Sequence, residues 1–275
     1  MEPEHHHVKQ SPLTIPLAIV VAGGLVAAAI FLRGDANLVK PSGASQPTAP
    51  LSPPDLEAMA LRPIDETRDH IRGNPNAAIL VVEFSDTECP FCKRFHETMR
   101  QIINEYGKSG KVAWAYRHFP IVGLHSKAPK EAEALECAAE LGGSGKFWEY
   151  SDRLFTVTPS NDGLDAAELP RIAADVGLDA GAFSQCLSSG RHGPRVQADY
   201  EDGVAVGVGG TPYSVLVLRK SVSLGNKRAL LALMEPYRDQ RGELPISFSV
   251  DRLRIALNGA LPLQALKSTI DILLK

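Results

Sequence analysis

Two cysteines separated by two residues, Cys89-Pro90-Phe91-Cys92, sit at the seam between a strand-like run and a helix-like run. That seam narrows the fold more than any other feature of the chain. Residues 77–84 (AAILVVEF) form a short, nearly continuous apolar run rich in β-branched side chains, the pattern of a central strand buried on both faces. Over residues 90–106, Phe91, Phe95, Met99, Ile102, Ile103 and Tyr106 fall on one broad helical face, with Gly107 as a stop. Residues 111–119 (KVAWAYRHF) read as a second strand ended by Pro120. Strand, helix and strand in that order open an α/β domain. From residue 126 to about 206 the spacing is helical only, broken at Gly142-Gly143, Thr158-Pro159-Ser160, Gly177 and Gly190. Strand character returns at 212–218 (PYSVLVL). It is followed by a short helix near 227–235 stopped by Pro236, a strand-like stretch at 246–255 and a last helix at 261–274. A helical block therefore interrupts an α/β domain. Residues 221–245 are longer than such a domain needs, and no role is assigned to them.

The seam also carries chemistry. Pro90 suits the first helical position, where its missing N–H costs nothing. A cysteine there faces unpaired backbone N–H groups and the positive end of the helix dipole, both of which favour thiolate over thiol. Lys93 and Arg94 in the first turn add to that pull. Thiols three apart can close a small disulfide ring in which Cys89 is the outer, attacking sulfur and Cys92 the shielded one, an arrangement suited to exchange through a mixed disulfide. The competing reading is a metal site. Zinc needs two further ligands, yet Cys137 and Cys186 are isolated singles without a histidine pair. The HETMR stretch at 96–100 lacks the second histidine of a zincin. His118 and His125 flank the Phe119-Pro120 turn and read as ordinary loop residues, with reach to the rim of the site as the alternative. Trp114, Phe147, Trp148, Tyr150 and Phe155 read as core.

Ahead of this body, residues 13–32 are an uncharged apolar run. About 20 such residues match a hydrocarbon core of ~30 Å, so a retained transmembrane helix is expected, with a cleaved signal peptide as the alternative. Lys9 on one side and Arg33 and Lys40 on the other leave its orientation open. Residues 5–7 are histidines in a polar tail (residues 1–12). Residues 33–64 form a linker, and the Pro-, Ser- and Ala-rich stretch at 41–54 cannot bury enough surface to fold. The net charge of -3 leaves no basic footprint for nucleic acid.

Four stretches, VVEFSDTECPFCKRFHE, YRHFP, KFWEYSDRLF and GVGGTPYSVL, together resemble the DsbA-type thioredoxin-like oxidoreductases, and more narrowly their membrane-anchored bacterial forms. The resemblance covers about residues 65–220 well and the rest loosely. It implies a thioredoxin-like α/β fold over 65–275, with a helical domain inserted at about 124–207. It makes Cys89 the nucleophile, Cys92 its buried partner, and Pro90 and Phe91 the start of the active-site helix. Thr211-Pro212 becomes the pair whose proline is cis, with the Thr211 backbone pairing to substrate and Pro212 packing on the sulfurs. Glu83 becomes a buried acid assisting proton traffic to Cys92, an edge-strand carboxylate facing water being the alternative. Cys137 and Cys186 become a structural bridge closing a loop of about 50 residues, worth up to ~4 kcal/mol in the chain-entropy model, or else two reduced buried thiols. A bridge requires an oxidising compartment outside the cytoplasmic membrane. The implied partners are unfolded exported proteins with free thiols and a membrane quinone-linked thiol oxidase, and the implied cofactor is none beyond the Cys89–Cys92 disulfide. Phe91 cannot donate a hydrogen bond to Cys89, so a less extreme oxidant is expected than with histidine there. A reductase or isomerase of the same fold, or a copper-binding or chaperone module without turnover, are the competing functions.

Overall fold

The structure is a computed structural model that describes residues 60–275. The expected membrane helix at 13–32 and nearly all of the linker lie outside the described residues. Among the described residues no helix is long and apolar enough to cross a membrane.

Six strands form one sheet: β1 (His70–Arg72), β2 (Ile79–Ser85), β3 (Val112–His118), β4 (Tyr213–Leu218), β5 (Ile246–Phe248) and β6 (Arg254–Asn258), in the order β1-β3-β2-β4-β6-β5. β2 and β3 pair in parallel and every other pairing is antiparallel. β2 lies between β3 and β4, and all seven of its residues are buried. Its continuous apolar run is explained by cover on both faces. Ile79 and Val81 pack into the larger core with Trp114 and Leu216, whereas Leu80, Val82 and Phe84 pack into the smaller one with Ala113 and Val215. Strand alternation puts Glu83 on the side of Ile79 and Val81, inside a central strand rather than at a wet edge.

Helix α1 (Pro90–Ile102) continues through one π turn (Ile103–Gly107) and buries Phe95, Met99 and Ile102. Between β3 and β4 lie α2 (Ala128–Val157), α3 (Glu168–Asp175), α4 (Ala180–Ser189) and α5 (Gly193–Val206). α2 is kinked at Gly143, whose φ of 74° suits a residue without Cβ. Phe147, Trp148, Tyr150 and Phe155 of α2 are core, as is Trp114. Where the chain enters the fold, the buried Arg117 of β3 pairs with Asp69 at 3.0 Å and Asp202 at 2.5 Å, tying the entry segment and α5 to the sheet.

After β4 the chain forms α6 (Leu224–Met234), a 3₁₀ turn (Glu235–Tyr237), the β5–β6 hairpin and α7 (Leu263–Leu273). The α-helix thus ends at Met234, just before Pro236 as expected, and Pro236 sits inside the 3₁₀ turn that follows. The strand-like stretch at 246–255 is two short strands, because Ser249, Asp251 and Arg252 (φ 57°) turn the chain back. The segment at 221–245 acquires a structural place, with Leu230 and Met234 of α6 in the core.

Candidate active site

The site is assembled from three loops around the mouth of α1. Cys89 is extended (φ -76°, ψ 122°) and caps α1, and Pro90 opens the helix. The turn before it is shaped by Asp86, whose Oδ1 accepts the Glu88 N–H at 2.9 Å, an Asx turn. The second loop, before β4, brings the cis Thr211–Pro212 bond. The Thr211 carbonyl oxygen lies 3.4 Å from Cys89 Sγ, toward which the thiol can donate. The third loop, between β3 and α2, carries Ile121 and His125 to the other oxygen of Asp86.

Cys89 and Cys92 are free thiols in adjacent but opposite electrostatic settings. The Cys89 thiol is pulled down to about 6, first by the hydrogen bond from the Cys92 side chain, against the cost of burial, with help from the Cys92 N–H, Thr211 and the Phe91 N–H. The Thr211 hydroxyl is buried and otherwise unpartnered, so its donation to the sulfur is its natural use. Cys92 is pushed well above the ordinary thiol range, first by complete burial, then by its hydrogen bond to Cys89 and by the Cys89 and Glu83 charges, with only the Asp86 N–H at 3.5 Å opposing. One proton is therefore held on the inner sulfur while the outer one is an anion.

Glu83 lies in β2 and is fully buried. Burial pushes its carboxyl up to about 7, although Ser85 and Trp114 pull it back; the Cys89 charge adds to the rise. Trp114 Nε1 donates to Oε2 at 2.9 Å, and Oε1 has no partner. A carboxyl poised near neutral pH and felt by Cys92 is equipped to hold or release a proton there.

The first-turn cations are engaged elsewhere. Lys93 Nζ donates to the Thr158 carbonyl at 2.5 Å, and Arg94 stacks 4.8 Å over the Phe91 ring. Phe91 is 53% exposed and joins Val122 and Leu124 as large apolar side chains open to solvent.

Three polar residues here escaped the sequence reading. Asp86 and Glu88 precede Cys89 and are buried, as is Glu131 at the start of α2. The Glu131 carboxyl is pushed up to about 9, first by burial and then by its hydrogen bond to Glu88 and the Glu88 charge. The acidic pattern around Cys89 was visible as sequence, but its pairing with α2 was not. His125 is buried and bonded to Asp86 rather than free in a loop, because Asp86 lies across the turn. His118, by contrast, is no loop residue: it ends β3, buried, with Nε2 2.8 Å from Glu136.

Cys137 of α2 and Cys186 of α4 are joined by an S–S bond of 2.01 Å, with both sulfurs inside the helical block. His192 brings a nitrogen within 4.8 Å of them. Sulfurs bonded to one another are not thiolate ligands, so this grouping does not fit a metal in the oxidised protein.

A thiolate and a thiol at the mouth of a helix, opposite a cis-proline loop on a mixed sheet, define a thioredoxin-fold redox domain. Residues 65–224 match the family described as thioredoxin, more than half of the chain, and the chain belongs to that family. Its fold is that of DsbA-type thiol–disulfide oxidoreductases. Wolbachia pipientis alpha-DsbA1 superposes with a TM-score of 0.56 at 22% identity, covering 77% of this chain and 92% of that one. Pseudomonas aeruginosa DsbA2 does so with a TM-score of 0.51 at 22% identity, covering 74% and 93%. By sequence, the Na(+)/H(+) antiporter NhaA 1 of Mycolicibacterium gilvum is 38% identical over 165 residues, 59% of this chain and 25% of the relative. The NhaA 3 antiporter of Salinispora tropica is 36% identical over 150 residues, 54% and 22%. The chain thus spans about a quarter of the length of these curated relatives.

Proposed function

We propose that the protein introduces disulfides into exported polypeptides by dithiol–disulfide exchange at Cys89 and Cys92. The observation that carries this is the opposed setting of the two sulfurs, Cys89 drawn down to about 6 and Cys92 held well above the thiol range, beside the Thr211–Pro212 loop. In the oxidised enzyme a substrate thiolate attacks Cys89 Sγ. The Cys89–Cys92 bond breaks, and Cys92 leaves as a thiolate and takes up a proton, with Glu83 the nearby acid whose charge it feels. A second substrate thiolate attacks the substrate sulfur of the mixed disulfide, and Cys89 departs as the stabilised thiolate. Two electrons pass from substrate to enzyme, and the sulfur pair is the whole redox group. A membrane quinone-linked thiol oxidase is the proposed electron acceptor that restores the disulfide.

The Thr211 backbone is the proposed docking edge for extended substrate, with Pro212 against the sulfurs. The exposed Phe91, Val122 and Leu124 suit unfolded chains with apolar side chains. The Cys137–Cys186 bridge supports an extracytoplasmic setting. The apolar run at 13–32 is the proposed tether, and relatives named as antiporters support membrane placement of such domains.

One observation favours a second direction. Phe91 offers no donor to the Cys89 thiolate and is turned to solvent under Arg94, so a reductase kept as dithiol by a membrane donor is the competing reading. Oxidation of a dithiol peptide by the purified, oxidised protein tests the proposal. Turnover lost in Cys89→Ser and a mixed disulfide trapped in Cys92→Ser are expected. A sulfur pair found mostly as dithiol in cells would give the reductase reading precedence.

A further inference from the structure

The CPFC dipeptide supplies no cation or donor side chain to Cys89, and both basic residues of the first turn of α1 are engaged elsewhere, on Thr158 and on Phe91. A buried imidazole reaches the site from a different element. His125, in the loop between β3 and α2, is 6% exposed, and its Nδ1 lies 2.9 Å from Asp86 Oδ2. Asp86 belongs to the turn that presents the cysteines. Its N–H lies 3.5 Å from Cys92 Sγ, its Oδ1 accepts the Glu88 N–H, and its Oδ2 also accepts the Ile121 N–H at 2.8 Å. Both carboxylate oxygens are thus fixed, and they fix the ring in turn.

We propose that His125 is a cation that further favours the Cys89 thiolate, in addition to the contacts from Cys92, Thr211 and Phe91, a positioning residue held by Asp86 and delivered by the loop after β3 instead of by the dipeptide. The inference rests on the reading of Cys89 as the working thiolate. The charges that bear on His125 are Asp86 from the β2–α1 turn, Cys89 from the mouth of α1 and Asp162 from the loop after α2. Lys127, the basic residue two positions on, spends its ammonium on the Leu164 carbonyl. Burial works against the imidazolium, but the hydrogen bond and charge of Asp86, with the charges of Cys89 and Asp162, raise His125 above the ordinary histidine value. It is then cationic over the range in which Cys89 ionises. Without it, the Asp86 carboxylate would stand uncompensated in the turn that carries both cysteines. A like charge so placed disfavours the thiolate. The imidazolium therefore acts on Cys89 through its charge, and the Asp86 contact keeps it in place.

Two measurements on the full chain test this. The first follows Cys89 by its ultraviolet thiolate absorbance against pH, using the oxidised protein as blank. In His125→Asn, which keeps a donor for Asp86 but no charge, the Cys89 midpoint should rise by about one unit. The equilibrium constant with glutathione should shift about tenfold toward a more stable disulfide. An unchanged midpoint in a variant that melts like the wild type overturns the inference and leaves the exchange function standing. A wild-type midpoint near that of free cysteine overturns both. The second needs no variant. Coupling is reciprocal, so the NMR titration midpoint of His125 must be higher in the dithiol protein than in the disulfide protein. A ring that serves only to hold the turn would titrate alike in both, and that result overturns the inference as well.

Discussion

The two cysteine pairs are made of the same atoms and do opposite things. Cys89 and Cys92 are three residues apart, both free, and set at a helix mouth where one sulfur is acidic and the other is not. Cys137 and Cys186 are 49 residues apart, joined, and enclosed among the apolar side chains of the helical block. The difference lies in what surrounds the sulfur. Backbone N–H groups, a neighbouring thiol and the Thr211 hydroxyl stabilise an anion at Cys89. Cys137 and Cys186 are buried, with Cys186 Sγ 4.0 Å from the Glu140 carboxylate, and an anion released there would be poorly solvated and face a like charge. The first pair is placed to be opened and the second to stay shut.

The comparison breaks most simply at Cys89. Cys89→Ser should lower thiol exchange by at least about a thousandfold, since Cys92, the other sulfur at the site, is wholly buried; peptide-oxidation rates decide it. The double change Cys137→Ser with Cys186→Ser should leave turnover within about twofold. It should also destabilise the fold by up to about 4 kcal/mol, from the loop it would no longer close. Denaturant unfolding of the two oxidised proteins checks this. Equal loss of turnover in both variants would erase the distinction between an exchanging pair and a structural one.

Glu83 sharpens the comparison through pH. Its carboxyl stands at about 7 instead of 4.5 because it is buried. Between those values the folded protein keeps a proton that the unfolded chain has released. Stability therefore falls as pH rises from about 4.5 and levels off above about 7. Glu83→Gln keeps an acceptor for Trp114 and removes the penalty. It should raise the unfolding free energy by up to about 3 kcal/mol above neutral pH and by almost nothing in acid. Exchange should slow at the same time if Glu83 is the acid that trades a proton with Cys92. A variant that neither stabilises at high pH nor slows would place Glu83 outside the chemistry.

How much of this was legible in the chain depended on the range of the contact. The β2–α1 seam could be read from residues 77–106, because an apolar strand followed by a helical face is a local pattern. Gly143 and Gly190 mark breaks for the same reason, both taking positive φ. Glu83 could not be resolved from its own strand, since its burial depends on β3 and β4 arriving on either side of β2. His118 and His125 were obscured by the proline between them. Their partners, Glu136 and Asp86, lie 18 and 39 residues away and are brought in only by the fold. The hairpin at 246–258 was missed because its turn is made by Ser249, Asp251 and Arg252, with no glycine or proline to announce it.

The smallest expected effect asks how the second pair stabilises its surroundings. Asp179 caps α4, its Oδ1 accepting the Ala182 N–H at 2.6 Å, and Cys186 sits two turns further along the same helix. Removing such a cap costs about 1 kcal/mol. If the bridge acts only by shortening the unfolded chain, the cap and the bridge share no contact. The losses in Asp179→Ala and in the bridge variant should then add to within about 0.5 kcal/mol. If the bridge instead pins α4 against α2, the cap is partly redundant while the bridge is closed. Asp179→Ala should then cost more once the sulfurs are parted. A double-mutant cycle on unfolding free energies separates the two. Phe183, buried on α4 and stacked with Tyr150 of α2 at 5.3 Å, already anchors the helix without the bridge. Additivity is the expected result.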